Sequence, residues 1–203
     1  LHHSIKLDVL RICFAGLVLP YKGPHILIES LKFLKAREIP FTCEIAGDPT
    51  SEDFMGTLVS MIKEIGIEEN VSFLGFQTRD QLKQVFGRNN VFVFPSCVDE
   101  AFGISQVEAM ASGLLTLTTA SGGAVDVIED KVNGCHFKEA TAQELGTLLV
   151  QIAQDPESFE VMAQRGQERA LEIYDVEKSN DMLETLLKVH SNKHGKRPQE
   201  NAF

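Results

Sequence analysis

The sequence predicts a doubly wound α/β domain, a parallel sheet covered by helices on both faces. Short apolar runs rich in β-branched and aromatic residues alternate with helical patterns, about six times, as far as roughly residue 140. Runs such as "VFVF" (91 to 94) are apolar on both faces, as a strand covered from two sides must be. From about Thr141 onward only helical patterns remain, which adds C-terminal helices to the layered core.

Each element has its own warrant. "LHHSIKLDVL" (1 to 10) lacks the charged region followed by an apolar region of a secretory signal, and its His-His pair reads as a tag remnant, so it is set aside from the fold as a linker or remnant. "RICFAGL" (11 to 17) reads as the first strand. "PHILIESLKFLKARE" (24 to 38) reads as one amphipathic helix, with Ile26, Leu27, Leu31 and Leu34 at helical spacing. Pro24 opens it where a missing N–H is no loss. "FTCEIAG" (41 to 47) is the second strand, and "DFMGTLVSMIKEIG" (53 to 66) a helix that Gly66 closes as a C-terminal cap. "NVSFLG" (70 to 75) and "NVFVFP" (90 to 95) are strands separated by the helix "RDQLKQVFGR" (79 to 88). A short helix follows, then the strands "LLTLTT" (114 to 119) and "GCHF" (134 to 137) around a glycine-containing loop. Helices are expected at 142 to 154, 157 to 174 and 176 to 189. The expected organisation is one domain over 11 to 190 and a flexible polar tail over 191 to 203.

Composition narrows the function. The chain is 43% hydrophobic and 24% charged, with no apolar run long enough for a membrane span. A net charge of -10 argues against nucleic acid as a partner, while leaving room for a local cationic pocket. The four cysteines, Cys13, Cys43, Cys97 and Cys135, are scattered, with no CxxC pair and no histidines at metal-ligand spacing. A reduced cytoplasmic chain is the expectation, with Cys13 and Cys43 as small hydrophobes inside strands.

In an open doubly wound sheet, ligands bind beyond the carboxyl ends of the strands. The loops to inspect are therefore "VLPYKG", "GDPTS", "GFQT" and "PSCVDEAFG". In the last, Gly103 stands where a helix begins, so a ligand oxygen can approach the N–H groups of Phe102, Gly103, Ile104 and Ser105. Those donors and the helix dipole make an anion site. Glu108 lies one turn beyond Ile104 and can reach a ribose diol, while Glu100 faces the other end of the ligand. A carboxylate at each end of a diphosphate suits a nucleotide sugar. Lys22, just before the helix that Pro24 starts, supplies a counter-charge. Lysine and helix ends neutralise a diphosphate without a metal, and no aspartate cluster of the magnesium type is visible. The simpler readings are weighed alongside. Glu100 and Glu108 are solvated glutamates, Asp48 and Asp99 are turn or solvated residues, and His25 and His136 are structural. Phe92 and Phe94 are core, and Gly122 and Gly123 serve either a turn or a backbone contact near the sugar.

These motifs together resemble the C-terminal, nucleotide-sugar-binding domain of retaining group 1 (family 4) glycosyltransferases, which have the GT-B fold of two Rossmann-like domains. The marks are "FAGLVLPYKG", "IAGD", "VSFLGF", "VFVFPS", the E-x7-E motif "EAFGISQVE", "EAMASG", "SGGAVDVI" and a final "NG", in that order over residues 11 to 190. The resemblance implies that Glu108 binds the ribose hydroxyls and that Glu100 and Lys22 are catalytic, holding the donor sugar and the diphosphate. Phe102, Gly103, Ile104, Ser105, Gly16, Gly122 and Gly123 would line the diphosphate and sugar, with the base near Gly75, Phe76 and Gln77. It implies transfer of a hexose-type sugar with retention, without a metal or cofactor, to an acceptor held by an N-terminal domain missing from this chain.

The chain departs from the pattern at Leu17, where the family has arginine after Gly16, and at Asp126, where it has glutamate. Leu17 removes one of two cations facing the diphosphate. This feature favours the alternative of a degenerate nucleotide-binding or regulatory module without transferase activity.

Overall fold

The computed structural model describes residues 6–99 and 103–173, and the helix expected over 176 to 189 and the tail lie outside them. The strands are β1 (Leu10–Ala15), β2 (Phe41–Ala46), β3 (Val71–Gly75), β4 (Val91–Phe94), β5 (Leu115–Thr119) and β6 (Cys135–Phe137). They form one six-stranded sheet in the order β3-β2-β1-β4-β5-β6, with every pairing parallel. Strand order reverses between β1 and β4.

Alternation along the strands sends side chains into two cores. Leu10, Ile12 and Phe14 of β1, with Val91 and Val93 of β4, pack on one face with α1 (Pro24–Ser30), α3 (Glu52–Ile65) and α7 (Ala142–Gln154). Cys13, Ala15, Phe92 and Phe94 point the other way, against Val85 and Phe86 of α4 (Arg79–Arg88) and Ala109 of α5 (Ile104–Ala111). Apolar character on both faces of "VFVF" thus has the predicted cause: all of Val91 to Phe94 is buried. The short α6 (Ala124–Val127) follows β5. Val127 of α6 packs with Met110 of α5 and Ala170 of α8 (Pro156–Ile173) in a smaller cluster.

Caps end the helices where the sequence signals them. Gly66 adopts φ 73° and donates to the carbonyls of Ile62 and Lys63, at 3.0 and 3.1 Å. Thr78 and Gln81 form a reciprocal capping box at the start of α4. One expectation is modified: the helix read as continuous over 24 to 38 is interrupted at Leu31, with α2 confined to Lys32–Lys35. The buried Ser30 hydroxyl donates to the Leu27 carbonyl at 2.6 Å, and Leu31 N–H bonds Ile28 O in the tighter i−3 pattern, so the turn narrows there.

The free edge of β6 is closed locally. Phe137 turns its carbonyl toward Ala120 of the β5 side, so His136 turns its N–H away from the sheet. The Asp130 carboxylate accepts that N–H at 2.8 Å. His25 Nδ1 and His136 Nε2 are buried without hydrogen-bond partners among the described residues. Burial lowers the pKa of both rings, against opposing pulls from Glu29 and Asp130.

Two outcomes follow. The folded state holds both histidines neutral and the unfolded chain protonates them first, so stability contributed by neutral His25 and His136 is present above about pH 6.5 and is lost as pH falls below it. Urea midpoints measured from about pH 7.5 to 5.5 will decline, and a His25→Gln, His136→Gln variant will show a flatter profile over that window. Gly23, at φ 75°, lies where a Cβ would run into the Pro95 carbonyl oxygen. Gly23→Ala therefore destabilises the domain by about 3 kcal/mol in equilibrium unfolding, from the left-handed strain and the backbone clash.

Candidate functional site

At the reversal between β1 and β4, loops from the carboxyl ends of the strands enclose a cleft of about 580 Å³. Gly16, Leu17 and Lys22 come from the loop after β1, Gly47 and Asp48 from that after β2, and Phe76 and Gln77 from that after β3. Gly103, Ile104 and Ser105 at the start of α5 form the opposite lip, and Ala15, Ala46, Phe94 and Leu82 complete the lining.

The first loop makes a single tight turn over Pro20–Lys22, closed by the Gly23 N–H on the Pro20 carbonyl at 3.1 Å. Gly23 abuts Pro95, which sets the Lys22 loop directly against the loop leaving β4. Cys97 N–H donates to the Tyr21 carbonyl at 2.7 Å, and the Ser96 hydroxyl reaches the same oxygen at 3.4 Å. Thr119 at the end of β5 anchors the far side by donating from its hydroxyl to Ser96 O at 2.8 Å. The Lys22 ammonium is seated over aromatic faces, 5.7 Å from the Phe94 ring centre and 5.9 Å from that of Tyr21. Phe94 is core, as expected, and also lines the cleft: it is only 4% exposed.

Across the cleft, α5 begins at Gly103, whose φ of 71° turns the chain into the helix. Gly103 brings no capping side chain and, among the described residues, no acidic residue occupies the first turn, so the amino end turns its N–H groups and positive dipole end to the cleft. A side chain at Gly103 would press on Gln106 Nε2 at 2.7 Å. Among the described residues lining the cleft, Lys22 is the one cation and Asp48 the one anion.

The expected residues divide. Gly16, Lys22, Phe76, Gln77, Gly103, Ile104 and Ser105 all line the cleft. Gly75 stands immediately behind Phe76, at φ 64°. Glu108 is half-buried on α5, four positions after Ile104 and so on the same face, but it is not among the lining residues. Gly122 and Gly123 lie before α6, away from the lining. Glu100 and Phe102 lie outside the described residues. Asp48, read as a local turn residue, has a longer reach: its carboxylate accepts the Phe76 N–H at 2.9 Å. The signal for it is its place directly after a strand, in "IAGD".

Cys97 on the neighbouring loop is exposed, but partial burial raises its pKa, which disfavours the thiolate. Cys43 and Cys135, buried, are pushed up to about 12. Among the described residues no three metal-ligating side chains come together, and no helix is long and apolar enough to cross a membrane.

Comparison with known proteins places this geometry. The family of glycosyl transferases group 1 matches residues 2–169. A D-inositol 3-phosphate glycosyltransferase of Mycolicibacterium gilvum is 32% identical over 154 residues, covering 73% of this chain and 33% of the relative. A lipopolysaccharide 1,2-N-acetylglucosaminetransferase of Salmonella typhimurium is 28% identical over 142 residues, 67% of this chain and 37% of the relative. The chain thus spans about a third of the length of these relatives. HepE of Anabaena, solved with UDP and glucose, superposes with a TM-score of 0.80 at 27% identity over 90% of this chain and 49% of its own. The C-terminal domain of a group 1 family protein, LpcC, of Francisella tularensis superposes with a TM-score of 0.74 at 25% identity over 82% of this chain and 87% of its own. The doubly wound sheet, its cleft at the strand reversal and the match over residues 2–169 have one common meaning: the chain belongs to the group 1 glycosyltransferases, of GT-B fold.

Proposed function

We propose that the cleft binds a nucleotide-diphosphate sugar and forms the donor half of a retaining glycosyltransferase that moves a hexose-type sugar. The observation that carries this reading is the convergence of Lys22 and the amino end of α5 on one cleft. Both are sources of positive potential aimed at a common space, which suits a diphosphate. HepE, at 27% identity, holds UDP in a structure of the same fold.

In this reading the amides of Gly103, Ile104 and Ser105 and the Lys22 ammonium hold the diphosphate, with the Phe102 amide added to them. Gly16 lies close to the phosphates, and Gly122 and Gly123 close to the sugar. The base rests against the loop of Gly75, Phe76 and Gln77. Glu108 takes the ribose hydroxyls and Glu100 the donor sugar. During transfer the bond between the anomeric carbon and the phosphate oxygen breaks, and its electron pair stays with the diphosphate. The acceptor oxygen then bonds the same face of that carbon, and the proton it loses passes to the departing diphosphate oxygen. Preset donors at the departing diphosphate stabilise the charge as it develops, which is commonly the largest catalytic effect. Neutralisation by a lysine and main-chain amides leaves no step that calls for a metal. The acceptor is held by an N-terminal domain that completes the cleft, and the acidic chain works in the cytoplasm.

Leu17, 51% exposed on the cleft wall, leaves Lys22 as the one cationic side chain among the described lining residues. Calorimetric titration with UDP, GDP and ADP in the presence of EDTA will show saturable binding of one of them. Lys22→Met will weaken it about 10- to 100-fold, in the range of a lost charge-assisted hydrogen bond, and Glu108→Ala about 10-fold. Absence of binding by a folded chain would overturn the donor reading. Leu17→Arg will tighten binding about 3- to 10-fold, with the gain shrinking as salt rises.

A further inference from the structure

We propose that Asp48 is a positioning residue, whose carboxylate holds the loop after β3 so that the Phe76 ring stands in the cleft as a stacking face. The inference rests on the donor-binding reading above.

An aspartate before proline, as in "GDPT", ordinarily bonds its own neighbouring main chain and serves a turn. Asp48 instead accepts the Phe76 N–H at 2.9 Å, from a residue 28 positions away. Its main-chain oxygen accepts the Val18 N–H at 3.0 Å. One residue therefore joins the loops that follow β1, β2 and β3. Beside it, Gly47 N–H donates to Gly75 O at 2.8 Å, and Gly75, at φ 64°, turns the chain out of the sheet just before Phe76. On the other side the Gln77 side-chain amide donates to the carbonyls of Leu74 and Phe76, at 2.8 and 2.9 Å. Both main-chain polar groups of Phe76 are thus engaged, its N–H by Asp48 and its carbonyl by Gln77.

The ring itself is left open. Phe76 is 69% exposed and yet lines the cleft, where an aromatic face suits a planar heterocycle. The positive groups that would hold phosphates are Lys22 and the start of α5, so a ring carried by a separate loop meets the base end of the same ligand. The charge of Asp48 supports the same role. A carboxylate lining a diphosphate cleft repels its ligand, which sets it apart from the phosphate-binding groups, and accepting the Phe76 N–H gives it a separate task.

The test is a double-mutant cycle on this chain, using Asp48→Ala, Asp48→Asn, Phe76→Ala and the Ala/Ala pair. Each variant is titrated with UDP, GDP and ADP, and with pyrophosphate as a probe that has no base. Asp48→Ala is expected to weaken the preferred nucleotide about 5- to 10-fold, the scale of one hydrogen bond. Asp48→Asn, which keeps an acceptor oxygen, is expected to stay within about 2-fold of the original. Pyrophosphate binding should not change, and Asp48→Ala should add nothing once Phe76 is alanine. Amide exchange at Phe76 should quicken in Asp48→Ala and not in Asp48→Asn, with or without ligand. Asp48→Leu, similar in size and unable to accept, serves the same cycle where alanine compromises folding. Full additivity of the two substitutions, or an equal loss for pyrophosphate, overturns the role of Asp48 while leaving the donor reading intact. Failure of the original chain to bind any of the three nucleotides removes the donor reading and this inference with it.

Discussion

The reversal of strand order between β1 and β4 is the constraint from which the site follows. Parallel strands need crossover connections, and those leaving β1 and β4 pass to opposite faces of the sheet, toward α1 and α5. Their first residues therefore diverge and leave an opening that side chains do not fill. Because each of these helices starts at the opening, Lys22 and the amino end of α5 are delivered to it by connectivity alone. The tight approach of Gly23 to Pro95 keeps the two diverging loops in register with each other.

Positive potential in the cleft comes from two differently held sources. The amides at the start of α5 are part of the backbone and lose nothing in orientation when a ligand arrives. The Lys22 side chain is long, but its ammonium is seated over Phe94 and Tyr21, and Phe94 is fixed by the core. Core packing thus extends into the floor of the cleft, and the same ring serves stability and electrostatics. With Leu17 also in the lining, the described residues give the cleft a single cationic side chain, so the proposed hold on a diphosphate rests on few groups.

Much of this was legible in the sequence. Most strands and helices of the described residues fall where period and caps put them, as "VFVF" and "RDQLKQVFGR" do. But α6 lies in what reads as a loop, and Leu7 and Leu10, in the segment set aside as linker, are buried in the core with Leu10 opening β1. The break at Leu31 was not legible, because it follows from a buried Ser30 hydroxyl turning back on its own helix, a choice made by packing. At the site, residues in glycine-marked turns next to strand ends were readable, because backbone conformation leaves a trace in composition. Asp48 and Phe94 were read for their local setting, turn and core. Their second connections run to Phe76 and Lys22, and contacts between distant loops have no periodic signature.

The Asp130 carboxylate on the His136 N–H has a consequence beyond the domain's own stability. β6 is an outer strand, and an outer strand with open N–H groups is a template on which another chain can add. The N–H that His136 turns outward is already taken, by a group that carries negative charge. A second sheet edge approaching there loses a bonding partner and meets a carboxylate facing its own carbonyl oxygens. A parallel sheet of this kind, built from long crossovers and slow to complete, is thereby protected from growing sideways into neighbouring molecules at this margin.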